Sequence, residues 1–253
     1  MSKIQIKKLK DNKIAYVKIN FPEKRNILTM EIILELTKAF SHLSKDSKLH
    51  AIVLSGEGSN FCAGGDLRWL QLKEESSDLE NIQEVTNLFN VFDTIYNCPI
   101  PVIGKIHGSA FGGGLGLVSV CDIAVAEKET RFCFSELKIN LIPSTISPFV
   151  LKKMPSSRVK ELILSARVFL SQEALDSGLI HFIGDEKQCE NHVNNTISHF
   201  LSCDRIALIQ AKKLIHQVSS LSSDKAREYS IQFLAERRKS PEVSKKITQF
   251  LKK

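Results

Sequence analysis

A single tryptophan and three tyrosines serve the whole of this 253-residue chain. Surfaces that bind single-stranded nucleic acid interleave basic residues with aromatic rings. A nucleic-acid partner is therefore not expected, although 35 Lys and Arg against 28 Asp and Glu leave a net charge of +7. That surplus fits an anionic ligand without choosing among anions. No run approaches the roughly 18 uncharged apolar residues of a membrane span, so no membrane partner is expected. The opening MSKIQIKKLKDNKIAYVKI alternates apolar with basic residues, whereas an export leader has a basic tip followed by an apolar block. The expected location is the cytoplasm. The six cysteines (Cys62, Cys98, Cys121, Cys133, Cys189, Cys203) contain no CxxC and read as reduced, mostly buried thiols. His192 and His199 share a probable helix with no third ligand nearby, and no metal is expected.

What is present points to a folded α/β chain. Hydrophobic residues make up 43% and charged residues 25%, enough to bury a core. At about 100–200 residues per domain, the length suits one large domain, or one domain plus a short extension. Ile4–Leu9 and Ile14–Ile19 alternate at period two around Lys10-Asp11-Asn12-Lys13, a β-hairpin pattern. Thr29 is a good N-cap for a helix whose apolar positions Ile33, Leu36, Phe40 and Leu43 recur at helical spacing. Apolar runs at 51–55, 101–106 and 123–126 have strand length, with a helix ending near Tyr96 between the first two. Strands alternating with helices imply buried, largely parallel pairing. Further on, Ser171 is expected to cap a short helix stopped by Gly178, and Ser240-Pro241-Glu242 opens another.

The chemistry gathers at two strand-to-helix junctions. The first carries Gly56, Gly58, Gly64 and Gly65, and the second Gly108, Gly112, Gly113, Gly114 and Gly116. Two N–H groups, one from each loop, would form an oxyanion hole for a carbonyl oxygen gaining charge. The other reading is that the glycines serve only tight turns and close packing. Nucleotide motifs fail on spacing: Phe61 and Leu117 stand where GxGxxG needs its third glycine, and GxxxxGK[ST] is absent; with no GxSxG elbow, an α/β-hydrolase serine has no platform either. Glu136 stands in a mostly apolar run, where burial would raise its pKa towards proton-transfer range. From the bare residues, a surface pair with Lys138 or Arg131 is the simpler reading.

These pieces resemble the crotonase (enoyl-CoA hydratase/isomerase) superfamily. The match runs through Phe21-Pro-Glu-Lys-Arg-Asn26, Phe61-Cys-Ala-Gly-Gly-Asp-Leu67, His107-Gly-Ser-Ala-Phe-Gly-Gly-Gly114, Cys121-Asp122, Phe132…Glu136…Pro143 and Ser171–Leu179. The resemblance implies a spiral of ββα turns over residues 1–190. A helical extension, 191–253, would build a homotrimer or a dimer of trimers. It also implies an acyl-CoA thioester as partner, with CoA entering as part of the substrate and no separate cofactor. Carried over, Gly65 and Gly113 supply the oxyanion hole and Glu136 the acid/base. Substrate contacts fall to Lys24, Arg25, Ala63, Asp66 and Leu67, and Phe250 and Lys253 resemble the part that meets CoA across a subunit boundary. Asp122 reads as structural. Trp69 and the helix from about Asp78 to Tyr96 are expected to wall the acyl pocket.

One departure stands out: two-acid hydratases have a second carboxylate where this chain has Gly116. Either Glu136 acts in both proton transfers, or a water beside Gly116 is oriented by other groups. The stretch Leu141–Leu151 resembles bacterial methylglutaconyl-CoA hydratases. In it Ser144, Thr145 and Ser147 serve either a substrate carboxylate or water, or else helix capping. Asn140 replaces a usual glycine and should tolerate positive φ. The expectation is a lyase that hydrates a 2-enoyl-CoA, branched or carboxylated in the manner of 3-methylglutaconyl-CoA. The alternatives are a Δ3,Δ2-enoyl-CoA isomerase and a non-catalytic or RNA-binding relative.

Overall fold

The computed structural model describes residues 2–71 and 77–252. β1 (Ile4–Leu9) and β2 (Ile14–Ile19) pair antiparallel, from Ile4 opposite Ile19 to Leu9 opposite Ile14. The turn between them holds Lys10, Asp11 and Asn12 in left-handed conformations. α1 (Met30–Leu43) starts where Thr29 Oγ1 accepts the Ile32 N–H, and it buries Ile33, Leu36, Phe40 and Leu43, the expected stripe. β3 (Ala51–Gly56) follows, then α2 (Leu67–Leu70) and α3 (Asp78–Tyr96), which opens on a Ser77–Glu80 capping box.

From here a ββα rhythm sets in. β4 (Val102–Ile106), β5 (Ser109–Phe111) and α4 (Gly113–Ser119) make one round, and β6 (Ile123–Glu127) and β7 (Arg131–Cys133) begin the next. The first strand of each pair enters a six-stranded sheet ordered β1-β2-β3-β4-β6-β9, in which β9 is Phe182–Gly184 and the pairing is parallel from β2 onward. The second enters a small sheet ordered β5-β7-β8, in which β8 is Phe169–Leu170. α5 (Ser147–Val150), α6 (Ser156–Ser165), β8 (Phe169–Leu170), α7 (Ser171–Asp176), β9 (Phe182–Gly184) and α8 (Glu186–Ser202) complete this part. Strands buried on both faces read as continuous apolar runs: Ile14, Val53, Ile103 and Val125 pack against Cys189, Val193 and Ile197 of α8.

Ser171 does not cap its helix. It is the first residue of α7, and its hydroxyl donates to Glu127 O at 2.5 Å, tying α7 to the end of β6. Asn140 does take the left-handed turn, at φ 59°. The chain divides into two compact units, 1–205 and 206–253. The second holds the body of α9 (Arg205–Val218), then α10 (Ser223–Arg238) and α11 (Pro241–Leu251). Ser240 caps α11 by accepting the Val243 N–H. No described helix is long and apolar enough to cross a membrane.

Candidate active site

The first glycine loop is held from both sides. Arg25 and Asn26 are both left-handed (φ 54° and 56°), turning the Asn26 side chain inward, where it is fully buried. Its amide donates to Glu57 O at 2.8 Å and Asn60 O at 2.7 Å, and its oxygen accepts the Phe21 N–H at 2.8 Å. A buried amide satisfied on three sides fixes the loop it spans. Beyond it, Ala63 N–H donates to Arg25 O, and Leu28 N–H to Gly64 O at 2.7 Å. On the other flank, Cys62 N–H donates to Ser109 O and Phe111 N–H to Cys62 O. Gly64 takes φ 106°, open to glycine, and a Cβ there would stand 3.1 Å from Phe111 O. Clamped in this way, the Gly65 N–H finds no backbone acceptor among the described residues.

The second loop meets the first backbone to backbone. A Cβ at Gly114 would overlap Cys62 O, so α4 can approach the first loop this closely only with glycine there. Gly112 N–H donates to Cys133 O at 2.9 Å, while the Gly113 N–H, first in α4, has no backbone acceptor among the described residues. Gly65 and Gly113 both line one cavity of about 510 Å³. Two unengaged donors on a shared wall are what a carbonyl oxygen gaining charge requires.

Glu136 enters the same cavity. It opens a short 3₁₀ turn, Glu136–Ile139, which Asn140 closes. A methyl group placed on Gly112 would lie 3.3 Å from Glu136 Oε1, which puts the carboxyl against the start of α4. Its Oε2 is buried without a hydrogen-bond partner. Burial pushes the carboxyl above its ordinary pKa, opposed only by a hydrogen bond from its own backbone. Neither Lys138 nor Arg131 pairs with it, so the solvated-surface reading of Glu136 falls. A buried polar atom left unsatisfied calls for an explanation, and here it faces a cavity.

Among the other expected residues, Ala63 and Leu67 line the cavity, as do Trp69, Val85 and Leu88. The Trp69 indole donates to Glu84 Oε2 at 2.9 Å. Asp66 does not line it: its carboxylate caps α2 by accepting the Arg68 N–H at 3.0 Å. Lys24 and Arg25 are exposed beside the Ala63 turn and off the cavity wall. Phe250 is exposed on α11, and Lys253 lies outside the described residues. Asp122 has the structural role expected of it, with Oδ2 accepting the Val102 N–H at 2.7 Å. Ser147 does not face the cavity, because its hydroxyl donates to Pro143 O at 2.6 Å. Ser144 and Thr145 are on the wall. The space beside Gly116 is not available to water: a Cβ there would collide with Ile146 Cγ2 and stand 2.9 Å from Phe92. Hydrocarbon occupies the second-acid position.

Two groups escaped the sequence reading. Asn26 was visible only as a letter in a motif, since two of its three partners lie more than thirty positions away. Lys153 donates to Val118 O at 3.2 Å and Cys121 O at 2.6 Å, closing the far end of α4. Burial pulls its pKa down to about 8, against the opposing pull of Cys121 and Asp122. No local pattern announced it.

The fold and the paired glycine loops define a crotonase-type α/β protein. A solved enoyl-CoA hydratase from Mycobacterium smegmatis superposes with TM-score 0.93 at 24% identity, covering 99% of this chain and 96% of that one. One from Shewanella pealeana gives 0.92 at 26% identity, covering 99% and 93%. The family model for enoyl-CoA hydratase/isomerase matches residues 10–253, and the chain belongs to that family, whose members act on acyl-CoA thioesters. Similar sequences include an enoyl-CoA hydratase of Alternaria alternata, 33% identical over 204 residues (80% of this chain, 66% of that protein). The mitochondrial Δ(3,5)-Δ(2,4)-dienoyl-CoA isomerase of Mus musculus is 32% identical over 216 residues, covering 79% of this chain and 64% of that protein. The chain thus spans about two thirds of the length of these relatives.

Proposed function

We infer that this protein is a lyase that hydrates a 2-enoyl-CoA thioester, with Glu136 as its one acid/base. The observation that carries this reading is the partnerless Glu136 Oε2, buried at a cavity whose wall also holds the Gly65 and Gly113 N–H groups. The two N–H groups accept the thioester oxygen and stabilise the enolate that forms when the β-carbon is attacked. Glu136 takes a proton from water as the water oxygen bonds to that carbon. It then returns the proton to the α-carbon, so H and OH are added with no other acid. Removing one such N–H donor in other enzymes costs about 3–4 kcal/mol.

Naming of relatives as hydratases supports addition of water. Ser144 and Thr145 offer hydroxyls on the wall. Lys138, the one cationic residue lining the cavity among the described residues, suits a carboxylated acyl group such as 3-methylglutaconyl. Lys24 and Arg25, exposed beside the Ala63 turn, are placed to meet CoA phosphates. The hydrocarbon beside Gly116 favours a second reading, Δ3,Δ2-isomerisation, in which Glu136 moves a proton from the α- to the γ-carbon and no water is needed. The conjugated-enoyl absorbance separates the two. Hydration bleaches crotonyl- or 3-methylglutaconyl-CoA, whereas isomerisation creates absorbance from a 3-enoyl-CoA. No change with any of these substrates overturns both.

The reading includes a homotrimer or a dimer of trimers, with Phe250 and Lys253 meeting CoA on a neighbouring copy. Ile231, Leu234, Ile247, Phe250 and Leu251 are all exposed on α10 and α11, apolar area suited to covering by further copies. Light scattering that returned the mass of one chain would contradict it. A cytoplasmic location is supported by six free cysteines.

A further inference from the structure

Adding water to a double bond needs two holds on the nucleophile. One group takes the proton that leaves, and a second fixes the oxygen, because a water held at one point turns freely. Glu136 supplies the first. The Gly116 position, filled by Ile146 and Phe92, supplies no second. The residue before Glu136 does. Ser135 stands at the N-cap of the 3₁₀ turn Glu136–Ile139. A serine there usually has an extended backbone and turns its oxygen onto the N–H groups of the first turn. Ser135 is helical instead, at φ −86° and ψ −5°, and its side chain makes no capping bond. Its carbonyl accepts the Lys138 N–H at 3.1 Å, so the turn closes on backbone alone. The Ser135 hydroxyl is thus left without a partner among the described residues, and Ser135 lines the cavity. A Cβ built on Gly112 would stand 3.2 Å from Ser135 Oγ and 3.3 Å from Glu136 Oε1. Hydroxyl and carboxyl therefore flank one point at the start of α4, beside the Gly113 N–H.

We propose that Ser135 holds the water that adds to the enoyl group. Its Oγ accepts the hydrogen that stays on the water oxygen. The other hydrogen leaves to the Glu136 carboxylate as the oxygen bonds to the β-carbon. Glu136 then gives that proton to the α-carbon, and Ser135 ends the cycle unchanged. This rests on the hydratase reading and assigns the second hold within it. An isomerase has no use for such a hydroxyl, since its proton passes between two carbons without water.

The test separates the chemistry of water from that of carbon in the full chain. Ser135→Ala suits the same backbone and removes only the hydroxyl. Its kcat for hydrating crotonyl- or 3-methylglutaconyl-CoA should fall by about 10–100-fold. Uptake of deuterium from heavy water at the α-carbon of butyryl-CoA needs Glu136 and the two N–H groups but no attacking water. That exchange should be unchanged in Ser135→Ala, whereas Glu136→Gln should lose both reactions. Hydration at the normal rate in Ser135→Ala would overturn the proposal and leave the hydratase reading standing. So would hydration and exchange falling together, which would make Ser135 a support for Glu136. No exchange in the unaltered protein would contradict Glu136 as the proton carrier and remove the role of Ser135 with it. An unaltered protein that binds butyryl-CoA yet hydrates neither enoyl thioester would overturn the hydratase reading itself, and this proposal falls with it.

Discussion

The two ends of α4 each carry a buried ionisable group, and the two are satisfied in opposite ways. At the start, Glu136 lies against Gly112 with Oε2 unpartnered and its pKa raised by burial. At the finish, Lys153 donates to the Val118 and Cys121 carbonyls, and burial lowers its pKa to about 8. Both pay desolvation, but Lys153 recovers two hydrogen bonds from other residues, whereas Glu136 has only one from its own backbone and leaves Oε2 bare. A satisfied buried charge is a structural part, whereas an unsatisfied one beside a cavity is waiting for a ligand. The difference predicts that stability and activity separate along one short helix.

The largest expected effect is at the unsatisfied end. Glu136→Gln keeps the shape and removes the exchangeable proton, so turnover should fall by about 10²–10⁴-fold, with acyl-CoA affinity nearly intact. The same variant should be more stable at neutral pH, by about 1 kcal/mol in thermal unfolding. The sign follows from the raised folded-state pKa. The native protein holds its extra proton between the ordinary carboxylate range and that raised value, and stability declines as pH climbs through the window. Below the ordinary range, the advantage of the variant should vanish. An equally active variant, or one that melts lower at neutral pH, breaks the comparison.

Next comes Gly113→Pro, which deletes one N–H at a helix position that suits proline. The Cβ of the ring meets the tip of Leu28 at 2.9 Å, a flexible end, and the Phe92 ring at 3.8 Å. Turnover should drop by about 10²–10³-fold with little change in melting temperature. At the other end, Lys153→Ala takes the side-chain donor from the Cys121 carbonyl and leaves the Val118 carbonyl with backbone N–H donors alone. Unfolding should become easier by about 2–3 kcal/mol, while turnover per folded molecule stays close to normal. A variant that keeps its stability but loses turnover would assign Lys153 to the chemistry. The smallest effect is at Asn140, already left-handed. Asn140→Gly should shift stability by a few tenths of a kcal/mol, and Asn140→Val should cost about 1–2 kcal/mol.

Much of this architecture was legible locally. The hairpin, the Thr29 cap, the stripe of α1 and the Ser240 cap follow from neighbours within four positions, where spacing and side-chain chemistry suffice. Glu136 was legible as a carboxylate in an apolar run, but only a family resemblance lifted it above a surface ion pair. Other features depend on contacts between distant segments. Nothing near Gly116 tells that Ile146 fills its space, nothing near Ser171 names Glu127 O as its acceptor, and two of the partners of Asn26 come from another loop. Ser147 looked available beside Ser144 and Thr145, yet one helical turn hands its hydroxyl to Pro143 O.

The account turns on whether the amides of Gly65 and Gly113 grip a thioester oxygen. Isotope-edited infrared spectroscopy of butyryl-CoA labelled with ¹³C at its thioester carbonyl reads that bond directly. On binding, the carbonyl stretch should fall below its value in water, and Gly113→Pro should return part of the shift. A bound carbonyl vibrating at or above its frequency in water would contradict the account.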